Sequence, residues 1–166
     1  MINSFSGEYR WLSNFWVCEV EYDGVIWPSS EHAYQAAKSL DPEYKKQMLA
    51  CNTPGQTKKL GKKVELRSDW DEVKLGIMEE ILRAKFSNPQ LREALLQTGT
   101  EELVEGNWWH DVYWGVCKGV GQNNLGKILM KLREEYKPKT HPLCIKCFHP
   151  ADANHDCSQW GLPKKS

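Results

Sequence analysis

The sequence predicts a compact α+β domain that is mainly helical, with a small N-terminal β-hairpin and a short C-terminal zinc-binding tail. Three observations support this prediction: one stretch alternates polar and apolar residues, several stretches repeat apolar residues at helical spacing, and cysteines crowd toward the end of the chain. With 166 residues, the chain can bury one sizeable core but is too short for two full domains. We therefore expect a main domain over residues 1–136, followed by a linker and the tail over residues 137–166.

The hairpin is predicted over residues 15–27. Apolar residues alternate with two glutamates from Cys18 to Tyr22, as a half-buried strand requires. Asp23-Gly24 then supplies the residues of a two-residue type I′ turn before the second strand. Pro28 has no N–H to donate, and we expect it to end the pairing.

Six helices follow from capping residues and apolar spacing. Ser29 or Ser30 can cap a helix that runs to about Leu40. The longest helix should run from about Asp69 to Phe86, capped by Asp69, with one apolar face turned to the core. The other four are predicted after Asp41-Pro42, after Thr53-Pro54, after Asn88-Pro89 and after Asn123-Asn124.

Charge and hydropathy exclude several classes of protein. Lys and Arg total 22, as do Asp and Glu, so the net charge is zero and no global field attracts nucleic acid or a membrane. No apolar run approaches the roughly 20 residues that span a bilayer, and no N-terminal segment resembles a signal peptide. We expect a cytoplasmic protein with no membrane partner, in which any anionic ligand is held by local cations.

The helix after Pro28 has polar residues on one face. Glu31, Tyr34, Gln35 and Lys38 stand at positions i, i+3, i+4 and i+7, while alanines take the opposite face. Glu31 and Lys38 could therefore bracket a ligand. A solvated helix face with spaced charges explains the same pattern equally well.

Lys85 falls on the apolar stripe of the longest helix, in line with Met78 and Ile81. A desolvated lysine has a lowered pKa, and its amine could attack an opened sugar and form a Schiff base. The alternative is a lysine that snorkels to solvent at a helix end, and the pattern alone favours it.

A second acidic segment runs from Glu105 to Asp111 and encloses Trp108, Trp109 and His110. A carboxyl among aromatic rings has a raised pKa and can protonate a leaving nitrogen, while an ionised partner stabilises an oxocarbenium-like sugar. An equally supported alternative is that the tryptophans fill the core and the acids cap loops.

Glycines surround Asn123-Asn124 at the predicted start of the last helix. Free amides and the positive end of the helix dipole could bind a phosphate there. The glycines are explained more simply as turn residues, and the chain carries no Walker or dinucleotide fingerprint.

Several separated segments match the motifs of one known family in the same order: Phe5–Tyr9, Leu12–Phe15, Ser30–Lys38, Arg67–Trp70, Arg83–Phe86, Leu103–Glu105, Tyr113–Gly115 and Asn123–Lys127. Together they resemble the NADAR family, also called YbiA-like, over about residues 3–136. The resemblance implies an α+β domain that is mainly helical and hydrolyses the N-glycosidic bond between C1 of ribose and a nitrogenous base, with no organic cofactor.

Two substrate classes are associated with this family. One is ADP-ribose attached to guanine in nucleic acid, which members acting as ADP-ribosyl glycohydrolases remove. The other is the phosphorylated ribosyl-aminopyrimidine intermediates of riboflavin synthesis. The resemblance therefore implies a ribosylated base as substrate and, in the first case, a nucleic-acid partner.

Carried over position by position, the resemblance implies catalytic roles for Glu31, Glu105 and Asp111, and for Lys38 or Lys85 as a lysine that could form an imine with the sugar. We expect substrate contacts from five further residues, Asn14, Tyr34, Trp70, Trp114 and Asn123. The acids and tryptophans should then converge around one ribose-sized cavity. The segment Asn107–Asp111 is more aromatic than is usual in the family, which bears on the base that leaves.

The tail lies outside the resemblance. Cys144, Cys147 and Cys157 offer three thiolates, and His155, or else His149, would complete a tetrahedral structural zinc site. So short a segment buries little apolar surface, so metal binding would supply its folding free energy. Unpaired thiols in a disordered end are the alternative. An excess of lysine over aspartate in the tail favours contact with phosphate.

The sequence thus favours an N-glycosidase with Trp70 and Trp114 as walls of the site. A protein of another class is the alternative: a non-catalytic module that binds ADP-ribose or a related nucleotide, with its zinc tail contacting nucleic acid or a protein partner.

Overall fold

The computed structural model describes residues 1–139, of which Met1–Tyr136 form one compact unit. Along this part of the chain the elements are a 3-10 helix at Gly7–Leu12, β1 (Val17–Tyr22), β2 (Val25–Ser29), α1 (Ser30–Ala36), α2 (Pro42–Leu49), α3 (Pro54–Gly61), α4 (Trp70–Lys85), α5 (Pro89–Gln97), β3 (Gly106–Asn107), β4 (Val116–Cys117) and α6 (Asn124–Tyr136). The predicted α+β class with a small antiparallel hairpin is confirmed. The predicted zinc ligands lie outside the described residues: Cys144, Cys147, His149, His155 and Cys157.

The hairpin forms around the predicted turn. Asp23 and Gly24 have φ angles of 52° and 72°, as both central residues of a type I′ turn must. The expectation that Pro28 ends the pairing is wrong, because Ser29 still pairs with Val17. Pro28 falls in an irregular stretch of the register, where no partner needs an N–H from it.

Helix α1 is short and wholly buried. Ser29 caps it, its hydroxyl accepting from the backbone N–H of His32 at 3.2 Å. The helix ends at Ala36 and not at Leu40, whose side chain is 65% exposed. Beyond the helix, the carbonyl of Lys38 accepts from the backbone N–H of Arg67 at 2.8 Å, so this part of the chain pairs with another segment. Because every residue of α1 is buried, the interpretation of its polar face as solvated is wrong.

Helix α4 supplies much of the core. Its apolar face contributes five buried residues, Trp70, Ile77, Met78, Ile81 and Leu82. Asp69 precedes the helix as predicted but forms no side-chain cap, because its carboxylate accepts from the Arg67 guanidinium at 2.6 Å instead. Lys85, in the last turn, is only 1% exposed, so the interpretation of a lysine snorkelling to solvent is wrong.

Two very short parallel strands, absent from the sequence prediction, shape the loop that precedes α6. β3 pairs with β4, which brings Gly106 opposite Val116 and Asn107 opposite Cys117. The pairing closes the chain between them into a loop that carries Trp108 through Trp114. In the part of the chain that the structure describes, no helix is both long and apolar enough to cross a membrane.

Candidate active site

A cavity of about 830 Å³ opens between α1, α3, the segment before β1 and the loop between β3 and β4. This volume suits a nucleotide-sized ligand. The predicted site residues that line it are Asn14, Glu31, Tyr34, Lys38, Glu105, Asp111 and Trp114. Three others do not line it: Trp70, Lys85 and Asn123. The acids thus converge as expected, together with one of the two expected tryptophans.

Glu31 lies deep in the wall that α1 forms. Its backbone N–H donates to the carbonyl of Asn14 at 3.0 Å, and its carboxylate accepts from Nε2 of Gln35 at 2.7 Å. Burial raises the pKa of Glu31 above its usual value, while the Gln35 hydrogen bond and then Lys58 and Lys38 oppose the rise. The carboxyl is therefore desolvated and held in one direction.

Glu105 lines the same cavity from the segment just before β3. Its backbone N–H donates to Oδ1 of Asn123 at 3.0 Å. Its Oε2 is buried and accepts no hydrogen bond from any residue in the described range 1–139. Burial, and next the charge of Asp111, raise the pKa of Glu105 to about 7. A carboxyl with this pKa can hold a proton at neutral pH and deliver it to a ligand.

An aromatic cluster forms one side of the cavity. Nε1 of Trp114 donates to the hydroxyl of Tyr34 at 3.1 Å, and the two rings meet edge to face at 5.4 Å. Trp70 packs behind Tyr34 with ring centroids 5.2 Å apart and is only 6% exposed. Tyr34 and Trp114 therefore present surfaces to a ligand, whereas Trp70 supports them from the core.

The two candidate lysines occupy different places. Lys38 follows α1 and lines the cavity. Its amine lies 5.9 Å from the Tyr34 ring centroid and donates to the carbonyl of Gly61 at 3.5 Å. Lys85 lies behind the wall, where its amine donates to the carbonyl of Ser13 at 2.8 Å. Burial lowers the pKa of Lys38, and burial lowers that of Lys85 to about 8. Both amines are desolvated, but only Lys38 faces the cavity.

Asp111 and Asn123 are both committed to loop structure. Oδ1 of Asp111 accepts from the backbone N–H groups of Tyr113 and Trp114, at 3.2 and 2.8 Å, so this acid caps the turn that presents Trp114. Asn123 holds Glu105 and donates to the carbonyl of Leu103 at 2.9 Å. Asp111 still lines the cavity, whereas the Asn123 side chain is used within the protein.

Asn14 is the remaining predicted contact. It is buried, its amide nitrogen lies 3.4 Å from the sulfur of Met78, and its Oδ1 receives no hydrogen bond from a described residue. A buried oxygen without a donor is costly. Because Asn14 lines the cavity, a ligand that donates a hydroxyl or amino hydrogen there would satisfy it.

Sequence reasoning missed the cations at the cavity rim. These are Arg10, Lys58, Lys59 and Lys62, and with Lys38 they surround the mouth. The Lys58 amine lies 5.6 Å from the Phe15 ring centroid and 5.3 Å from that of Trp109. Lys58 and Lys59 in the last turn of α3 and Lys62, its C-cap residue, were a usable signal, because this spacing places them toward one side of the helix. Such a rim attracts phosphate.

A metal site is a separate question. Among residues 1–139, no three His, Cys, Asp or Glu side chains are placed to share a metal ion.

Comparison with known proteins gives a family and a close fold. The model of the NADAR domain family matches residues 3–137. The N-glycosidase YbiA of Escherichia coli K12 is 40% identical over 136 residues, which cover 80% of this chain and 84% of that protein. The NMR structure of E. coli YbiA superposes with a TM-score of 0.72 at 37% identity, covering 81% of this chain and 86% of that one.

A second kind of relative is longer. The riboflavin biosynthesis protein VVA0006 of Vibrio vulnificus is 39% identical over 131 residues, which cover 76% of this chain but 35% of that protein. The chain is thus similar both to an N-glycosidase of nearly its own length and to part of a larger riboflavin biosynthesis protein.

Proposed function

The chain belongs to the NADAR family, and from that premise we propose that it is an N-glycosidase, an enzyme that hydrolyses the bond between C1 of ribose and a nitrogenous base. The proposal rests on two carboxyls that line one aromatic cavity from different elements: Glu31, which is buried in α1, and Glu105, which is half-buried just before β3. Two carboxyls in different environments are the usual equipment for breaking a glycosidic bond.

In the proposed mechanism, Glu105 is the general acid. Its pKa of about 7 keeps much of it protonated at neutral pH, and the proton passes to the nitrogen of the departing base. We assign Glu31 the role of the ionised partner: burial raises its pKa, but the Gln35 N–H, Lys58 and Lys38 act against that rise and favour the charged form. Its negative charge would stabilise the oxocarbenium-like sugar and orient the attacking group.

Lys38 is the proposed nucleophile for a covalent route. Breaking the C1–N bond frees the base, and the neutral Lys38 amine bonds to C1. As the ring opens, the C1–O bond breaks and one proton of the Lys38 nitrogen passes to the ring oxygen, which leaves a hydroxyl and a protonated imine. Water hydrolyses the imine and restores the amine. The lowered pKa of Lys38 supports this role, since only the neutral amine attacks.

The rim cations favour a substrate that carries phosphate. We propose phosphorylated ribosyl-aminopyrimidines first, because relatives of this chain are named for riboflavin biosynthesis. ADP-ribosyl-guanine is the second candidate. It is favoured by Trp108, which is 81% exposed at the cavity mouth and could stack on a further base.

A substrate panel tests the function. Purified protein is incubated with each candidate, and the free base and the sugar fragment are measured by mass spectrometry. We expect release of base from at least one candidate, and we expect Glu31→Gln to abolish that release. Saturable binding of all candidates with no release from any would favour the non-catalytic nucleotide-binding module instead.

Trp108 separates the two substrate classes. Base stacking on an aromatic side chain contributes roughly 1–3 kcal/mol, so Trp108→Ala should lower kcat/KM by about tenfold for an ADP-ribosylated oligonucleotide. It should change kcat/KM much less for a ribosyl-aminopyrimidine monophosphate. Trp16→Ala is the control, because Trp16 is 37% exposed but does not line the cavity. Equal losses on both substrates would remove the argument for the second candidate.

A further inference from the structure

The amide of Gln35 lies between Glu31 and helix α3. Its side chain is only 4% exposed, and its Nε2 donates to Oε1 of Glu31 at 2.7 Å. The backbone of Gln35 is also fixed, because its carbonyl accepts from the hydroxyl of Tyr44 at 2.9 Å. Gln35 is therefore a rigid donor to a carboxyl that the proposed function uses.

Gly61 forms the other side of this contact. It is the last residue of α3, and its backbone conformation is one that any L residue could adopt. A Cβ added there would lie 1.9 Å from Oε1 and 2.9 Å from Cδ of Gln35. Glycine is thus needed at position 61 because it has no side chain, and not because the backbone adopts a conformation that only glycine favours. The Gln35 amide occupies the volume that a side chain of residue 61 would need.

The orientation of the Gln35 amide affects the ionisation of Glu31. Oε1 of Gln35 accepts no hydrogen bond from the described part of the chain. Turning the amide over would place that oxygen against the Glu31 carboxylate, where two acceptors would repel each other. The observed orientation matches an ionised Glu31, since a donor stabilises the charged form. The charged groups that act on the Glu31 carboxyl are Lys58, Lys38 and Asp111, and the Glu31 charge in turn acts on Glu105.

We propose that Gln35 is a positioning residue, which directs the Glu31 carboxylate into the cavity and favours its ionised form. Gly61 is required because it leaves room for the Gln35 amide. This inference rests on the proposed function only for its effect on turnover. The physical link from Gly61 through Gln35 to Glu31 can be measured without any substrate.

The test compares Gln35→Ala, Gly61→Ala, the double variant and the wild type. The matched control is Gly76→Ala, a helical glycine whose added Cβ would meet nothing within 4 Å. Loss of the Gln35 donor should raise the pKa of Glu31, so the acid limb of the pH dependence of kcat/KM should move up by about one pH unit. Gly61→Ala should move it in the same direction, and Gly76→Ala should leave it in place.

A substrate-free measurement keeps the inference distinct from the proposed function. Urea unfolding of the four proteins gives a double-mutant cycle. Gly61→Ala should lower the unfolding midpoint in the wild type but not in the Gln35→Ala background, where the amide that collides with the new methyl is gone. A 13C carboxyl titration of Glu31 by NMR should show the same upward shift as the acid limb.

Two results would overturn the inference. One is an unchanged Glu31 titration in Gln35→Ala, and the other is an equal loss of stability from Gly61→Ala in both backgrounds. If no substrate is turned over but the cycle and the titration behave as expected, the proposed function fails while the positioning role stands.

Discussion

Glu105→Gln should reduce kcat by about 10³-fold at neutral pH, the scale of a lost general acid. The glutamine keeps the size and the buried position of Glu105, but it cannot give a proton to the leaving nitrogen. The loss should appear in kcat and kcat/KM alike, because proton transfer occurs in the transition state and not in substrate binding. Steady-state rates of base release measure it directly.

Two controls accompany this prediction. Glu102→Gln makes the same change three residues away at an exposed side chain and should leave the rate unchanged. Thermal unfolding should show Glu105→Gln to be folded, since removing a desolvated charge does not open the core. A variant that is folded and retains more than a tenth of the wild-type kcat would show that Glu105 is not the acid.

Lys38→Ala should abolish covalent capture of the sugar. Borohydride reduces an imine to a stable amine, so the wild type treated with substrate and borohydride should gain the mass of the sugar fragment. Only Lys38 of the two candidate lysines lines the cavity, so its removal should eliminate the adduct and most of the turnover. Intact-protein mass spectrometry measures the adduct, and peptide mapping locates it.

The variant Lys85→Met tests the second candidate lysine in the same trapping experiment. Lys85 is 1% exposed and its amine is bound to the Ser13 carbonyl, so methionine should fill its volume and leave trapping intact. Loss of the adduct in Lys85→Met with retention in Lys38→Ala would reverse the assignment. An adduct that persists in both variants, or never forms in the wild type, would exclude an imine at either lysine.

Local sequence signals were sufficient for much of the fold. Asp23-Gly24 predicted the turn, and Asp41-Pro42, Thr53-Pro54 and Asn88-Pro89 marked three helix starts that the structure has at those positions. Each signal acts through hydrogen bonds or φ angles within a few residues, so no knowledge of the tertiary structure is needed. The two-residue strands β3 and β4 depend on a long-range contact, and nothing local predicts them.

The burial and orientation of the site residues were harder to predict than which residues belong to the site. The helical spacing of Glu31 and Lys38 described a solvated face as well as a lined cavity, and only the packing of other helices around α1 decides between them. Trp70 was assigned to substrate contact because it belongs to a motif, but a motif does not say which of two stacked rings faces the ligand. The sequence pattern favoured a Lys85 side chain that reaches solvent, whereas the structure buries it, because burial at a helix end depends on which other segments cover that end.

The contact between Gln35 and Gly61 could not be predicted from the sequence. Gln35 stood on the polar face that the sequence identified, but its importance arises from a contact with a glycine on another helix. A glycine in a helical sequence normally indicates a weak point or a cap. Only the distance between a missing Cβ and the Gln35 amide reveals the reason for it.

In the proposed mechanism the Glu105 carboxyl donates the proton that frees the base, and the pH dependence of kcat/KM tests this role. In the wild type, kcat/KM should fall as pH rises through the Glu105 pKa of about 7, because the acid must be protonated to act. With Glu105→Gln, measured with enzyme in excess over substrate, the residual rate should no longer fall on the alkaline side. An alkaline limb that remains near pH 7 in Glu105→Gln would show that another group supplies the proton.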